Sequence, residues 1–121
     1  MNNRPLSVTI IGWAYLLMGV AGFAYHFTGL RAHHRFQFDI VWAELIFLVA
    51  IVSGVYMLRG RNWARWLAIA WMVFHVVVSV FHTISELTIH ALLCAVLAYF
   101  LLRAAATPYF RPSERSQQGA P

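Results

Sequence analysis

Two stretches of this chain hold nearly every side chain able to ligate a metal, carry a proton or pair with a buried charge. The first contains His26, His33, His34, Asp39 and Glu44, and the second His75, His82, Glu86 and His90. Between them they take all six histidines and three of the four acids. Helical spacing sorts the set further. His75, Ser79 and His82 follow at four and three residues and share one face, as do Glu86, His90 and Cys94 at intervals of four.

Three kinds of chemistry fit these residue types. Imidazole and carboxylate suit zinc, iron or another transition metal, and two facing histidines can ligate a haem iron. His26, His75, His82 and His90 are the candidate ligands. No standard zinc spacing occurs, and seven residues separate His75 from His82 by about 10 Å along a helix, too far to share one ion unaided. The same groups suit a proton-coupled path, with Glu44, His75 and His90 exchanging protons with one compartment. The third reading, placed first, is a polar network that specifies how helices pack. A haem- or metal-binding redox component and a proton-coupled small transporter are the alternatives. No catalytic residue is assigned. No serine has a nucleophile-elbow context, and the glycines lie within apolar runs rather than phosphate-binding loops.

The elements that must position these groups follow from hydropathy. The chain has 121 residues, 61% hydrophobic and 11% charged, too apolar for a soluble domain of this size. Four predominantly apolar spans, at residues 6–28, 39–59, 63–83 and 86–106, reach the ~20 residues a helix needs to cross the hydrocarbon core. Helices are the only open-ended elements that satisfy their backbone in lipid. The expected fold is all-α, an integral membrane antiparallel four-helix bundle over residues 6–106. A short lead at residues 1–5 precedes it, and a disordered tail at 107–121 follows. An uncleaved first span is expected, because its apolar run outlasts a signal-peptide core.

All nine basic residues are arginine. Arg4, Arg59, Arg61, Arg65, Arg103, Arg111 and Arg115 fall on one side of such a layout, and only Arg31 and Arg35 on the other. That bias predicts both termini on the cytoplasmic side of the membrane, and the histidines and acids toward the opposite face. The formal charge of +5 is then a topology signal, and no nucleic-acid partner is implied.

Glu44 is costly in a membrane unless it faces the helices, reaches the surface or is neutralised, and pairing with His75 or His90 is the economical solution. At ~1.5 Å per residue, Glu44 and His90 lie about 7–9 Å from His75 along the normal, with His26, His82 and Glu86 nearer water. Gly12, Gly19 and Gly22 form a stripe on the first helix that invites close helix packing. With the small size of the chain, it motivates a homodimer or a larger membrane complex in the lipid bilayer. Arg59, Arg61, Trp63, Arg65 and Trp66 form an interfacial anchor around a tight turn. Ser85 is the expected N-cap of the fourth helix. Cys94 alone rules out an intrachain disulfide or a paired-thiol relay. A weak echo, Tyr25–Leu30 against Phe81–Leu87, hints at two related hairpins.

The hairpin Leu58-Arg-Gly-Arg-Asn-Trp-Ala-Arg-Trp-Leu-Ala-Ile-Ala-Trp71 resembles a stretch of small, uncharacterised four-span bacterial membrane proteins. The overall layout is similar to DoxX-type four-helix membrane proteins. The resemblance implies topology and an anchor at the interface, and it carries no catalytic motif.

Overall fold

The computed structural model describes residues 4–32, 38–103 and 106–110. They form four long helices, α1 (Leu6–Ala32), α2 (Phe38–Leu58), α3 (Asn62–Ser79) and α4 (Ile84–Leu102), then a single turn α5 (Thr107–Phe110). No strand occurs among the described residues. Three helices are long and apolar enough to cross a membrane: α1 over Leu6–Gly29, α2 over Asp39–Leu58, and α4. α3 does not join them, because its 18 residues include Asn62, Arg65, His75 and Ser79. Large apolar side chains such as Leu17, Leu48, Val77 and Leu92 stand exposed along every long helix. An outward-facing apolar surface of this extent fits a membrane protein.

Successive helices pack antiparallel. The α1–α2 seam is the closest, and glycine makes it so. A Cβ on Gly12 would stand 2.7 Å from the Leu58 side chain, one on Gly19 2.7 Å from Ile51, and one on Gly22 inside the Phe47 ring. α2 answers with Gly54, whose Cβ would lie 2.7 Å from the Gly12 carbonyl oxygen and 2.8 Å from the Leu16 nitrogen. The expected glycine stripe is therefore filled within the chain by α2. It offers no surface to a second copy, so association would need another face.

The α2–α3 turn closes on Gly60, at φ 74°. Arg61 N–H donates to the Tyr56 carbonyl and Gly60 N–H to Met57, each at 3.0 Å, the bonding of a Schellman cap. Trp63 packs on Tyr56 at 4.9 Å between ring centroids, and Arg59 lies over the same ring. Arg61, Trp63 and Trp66 are exposed, as an interfacial anchor requires. Arg65 departs from that expectation. It is 3% exposed, lies over the Phe110 ring, and its Nη1 donates to the Leu101 carbonyl at 3.4 Å. Arg61 is the extended N-cap, whereas Arg65 lies within α3 on the buried face shared with Ala68 and Met72, where it ties α3 to the end of α4.

Side chains on or facing α3 tie it to its other neighbours too. Tyr15 Oη donates to the Ala68 carbonyl and Trp71 Nε1 to the Ile46 carbonyl, both at 2.8 Å. α4 begins earlier than expected: Thr83, not Ser85, is the N-cap, accepting from Glu86 N–H at 3.2 Å. The segment after α4 also differs from the expected loose tail. Thr107–Phe110 form a helical turn, Phe110 is buried, and Tyr109 Oη donates to the Leu58 carbonyl at 2.7 Å. The aromatic pair supplies enough apolar surface to dock beneath the α2–α3 turn. Residues 111–121 of the expected tail lie outside the described residues.

Candidate functional site

The second histidine window becomes one polar tie between α3 and α4. Trp71, His75 and Ser79 recur every four residues, so one face of α3 presents all three. Glu86 and His90 do the same on α4. His75 is half-buried with its ring over Trp71, centroids 3.9 Å apart, and its Nδ1 sits 2.9 Å from the Trp71 carbonyl oxygen. Ser79 Oγ lies 2.7 Å from the His75 carbonyl oxygen and 2.7 Å from His90 Nδ1. His90 Nδ1 also lies 2.8 Å from the Glu86 carbonyl oxygen.

Donor inventory assigns the protons. A carbonyl can only accept, so His75 Nδ1–H donates to Trp71 and His90 Nδ1–H donates toward Glu86. His90 Nδ1–H is then shared with Ser79 Oγ, and the single Ser79 hydroxyl proton goes to the His75 carbonyl. The tautomers are assigned from these partners. Each ring donates from Nδ1 whether neutral or protonated. The chain of bonds from His90 through Ser79 thus ends on a backbone carbonyl, not on the His75 ring. The two rings are neighbours, with centroids 5.9 Å apart, and any metal bound here would take Nε2.

His82 and Glu86 form the rim. α3 ends at Ser79, so His82 lies in the connection to α4 and not on the helical face expected with His75 and Ser79. His82 Nδ1 is 3.1 Å from Glu86 Oε2, and both side chains are about half exposed. A pair so open to solvent contributes little to stability.

The first window is separate. Glu44 falls in register with Phe47, Ile51, Gly54 and Leu58, the α2 stripe turned toward α1. His26 stands in the matching α1 stripe and stacks on Phe47 at 5.4 Å. The expected pairing of Glu44 with His75 or His90 is not made. The residue that meets α3, Ile46, lies two positions on and points another way around α2. Both Glu44 carboxylate oxygens are buried without a hydrogen-bond partner among the described residues. Asp39 is exposed in the first turn of α2, where it complements the helix dipole. His33 and His34 lie outside the described residues. Cys94 packs against the apolar core.

The six candidates therefore divide into His26 and Glu44 on one seam, and His75, His90, His82 and Glu86 on the other. Among the described residues, no three His, Cys, Asp or Glu side chains are grouped to hold a metal ion. Ser79 is the link that spacing alone under-read: it lies midway on the expected His75–His82 face, but its bond to His90 depends on how α4 is placed. Gly54 was likewise signalled only by its small size. Comparison with protein-family models, curated proteins and solved structures finds no match to this chain.

Proposed function

We propose that this chain is an integral protein of a bacterial inner membrane, crossing it four times with both termini cytoplasmic and with a DoxX-like layout. Its His75–Ser79–His90 group ties α3 to α4 in a non-enzymatic unit, an accessory subunit or homodimer held in the bilayer. The arginine distribution supports the orientation. α3 crosses despite its lower hydropathy because Tyr15, Trp71, His75, Ser79 and Arg65 make their hydrogen bonds to neighbouring backbone, leaving few polar groups for lipid to meet.

One observation carries the packing role. The bonds of His75, Ser79 and His90 all run from side chain to carbonyl or to each other, and terminate on backbone oxygens that cannot relay a proton. Such a network specifies which faces meet. Metal and absorption analysis of gently purified protein, with proton flux in proteoliposomes, tests it. The expected result is no Soret band, no stoichiometric metal and no flux. A Soret band lost in His75→Ala or His90→Ala would replace this reading with a haem- or metal-binding redox component. Flux abolished by Glu44→Gln and His75→Ala would replace it with a proton-coupled transporter.

A further inference from the structure

α1 and α4 close the helix set poorly. Between them lies a cleft of about 600 Å³, floored by Met72 and walled by Ile10, Met18, Leu93 and Phe100. That volume falls within the range of small-molecule sites. Its polarity is one-sided. Tyr15 also borders the cleft, but its hydroxyl is engaged with Ala68. The other polar lining groups, Ser7 and Arg103, both sit at the end where the chain termini lie.

Arg103 is fixed in place at that mouth. It leaves α4 in extended conformation, its backbone N–H bonded to Tyr99 and its carbonyl accepting from Ala106 and Thr107. Its guanidinium stacks 5.0 Å over Phe100, and Nη2 donates to Ser7 Oγ at 3.1 Å. Its Nε–H is buried with no acceptor among the described residues. A guanidinium offers five donors in a fork shaped for carboxylate or phosphate. The described acids, Asp39, Glu44 and Glu86, all stand near the far ends of α2 and α4, so none of them can serve. The α4 wall is apolar over the ten residues from Leu93 to Leu102, about 15 Å of helix, or half the hydrocarbon core.

We infer that the α1–α4 cleft binds an anionic phospholipid of the leaflet on the terminal side, its phosphate on Arg103 and Ser7 and one acyl chain lying between the helices. The inference rests on the membrane reading above. One-sided polarity orients the lipid, the positive charge of the Arg103 guanidinium at the cleft mouth favours a headgroup of net negative charge, and the half-membrane depth matches a single leaflet.

The full chain, purified in mild detergent, is titrated with phosphatidylglycerol or phosphatidylcholine and read by native mass spectrometry. The expected result is one retained phosphatidylglycerol per chain, preferred over phosphatidylcholine by about tenfold, because both lipids offer a phosphate but the choline ammonium brings a second cation against Arg103. Arg103→Gln removes the preference and leaves weak, equal binding of both lipids. Ala14→Phe, which fills the cleft from its exposed α1 wall, lowers both. Arg59→Gln, at an exposed arginine outside the cleft, changes neither. Equal retention of the two lipids by the unaltered chain would overturn the proposal, as would a preference that survives Arg103→Gln. A cleft occupied by a second copy, seen as a cross-link between Ile10→Cys and Leu93→Cys chains, would overturn it too. So would lipid retention only in Glu114→Gln, since Glu114 would then be the anion. Alkaline carbonate extraction separates the two readings: release from membranes defeats the membrane assignment, whereas retention with no lipid preference defeats only the site.

Discussion

Gly54→Ala is the sharpest perturbation of the α1–α2 seam. The added methyl would lie 2.7 Å from the Gly12 carbonyl oxygen, 2.8 Å from the Leu16 nitrogen and 3.2 Å from the Leu16 Cα. All three are backbone atoms, which no rotamer change can move aside. Ordinary contact begins near 3.4 Å, so α1 and α2 must part by about 0.7 Å, enough to forfeit a quarter to a half of the dispersion energy of the contacts affected. Overpacking of this kind costs about 1–3 kcal/mol. Alanine's better helix propensity returns up to about 1 kcal/mol. The net expectation is a loss of up to about 2 kcal/mol. Gly12→Ala should lose less, because its nearest atoms belong to the flexible Leu58 side chain. Gly29→Ala meets nothing within 4 Å among the described residues and should be neutral or stabilising. Reversible unfolding of the three variants in one detergent ranks them. A Gly54→Ala protein as stable as Gly29→Ala would refute backbone contact as the basis of the seam.

Three further changes probe the polar groups. Ser79→Ala removes the tie between α3 and α4 and should cost about 0.5–2 kcal/mol in the same unfolding assay, the range of interhelical hydrogen bonds in membranes; no change would remove Ser79 from the network. Trp71→Phe keeps an aromatic ring beside Tyr15 and His75 but loses the bond to Ile46, and a loss of about 0.5–1.5 kcal/mol is expected. Pairing it with Ile46→Ala, which keeps the acceptor carbonyl, should give additive losses unless the indole also depends on that side chain. Glu44→Leu replaces a buried carboxylate that lacks donors and should stabilise by about 1–3 kcal/mol. Destabilisation by Glu44→Leu would mean the carboxylate has a partner that its present surroundings do not supply.

Much of the helix layout was legible because it depends on local signals. The apolar runs, the Arg59–Asn62 turn and the α1 glycines are read from hydropathy, charge and small-residue spacing. What went unread depends on azimuth between helices. Glu44 was expected to meet His75 or His90, yet a difference of two positions from Ile46 turns it to the α1 seam. Arg65 reads as one more basic residue in an arginine-rich turn, and only the placement of Leu101 and Phe110 makes it internal. Thr107–Phe110 follow an unremarkable Ala-Ala-Ala run, so the docking of Tyr109 on Leu58 is a tertiary effect that overrides weak local propensity. The membrane signal of α3 is diluted for a related reason: its polar residues are spent on neighbours, and hydropathy cannot see partners.

The crossing of α3 decides the account most directly. In a Cys94→Ala background, Ser85→Cys reports the α3–α4 connection and Ser116→Cys the C-terminal segment. Each is exposed to a membrane-impermeant maleimide on intact spheroplasts and again after lysis. Four crossings predict that Ser85→Cys is labelled from outside and Ser116→Cys only after lysis. If α3 stays on the cytoplasmic face, the pattern reverses, with Ser116→Cys labelled outside and Ser85→Cys protected until lysis, and the account fails.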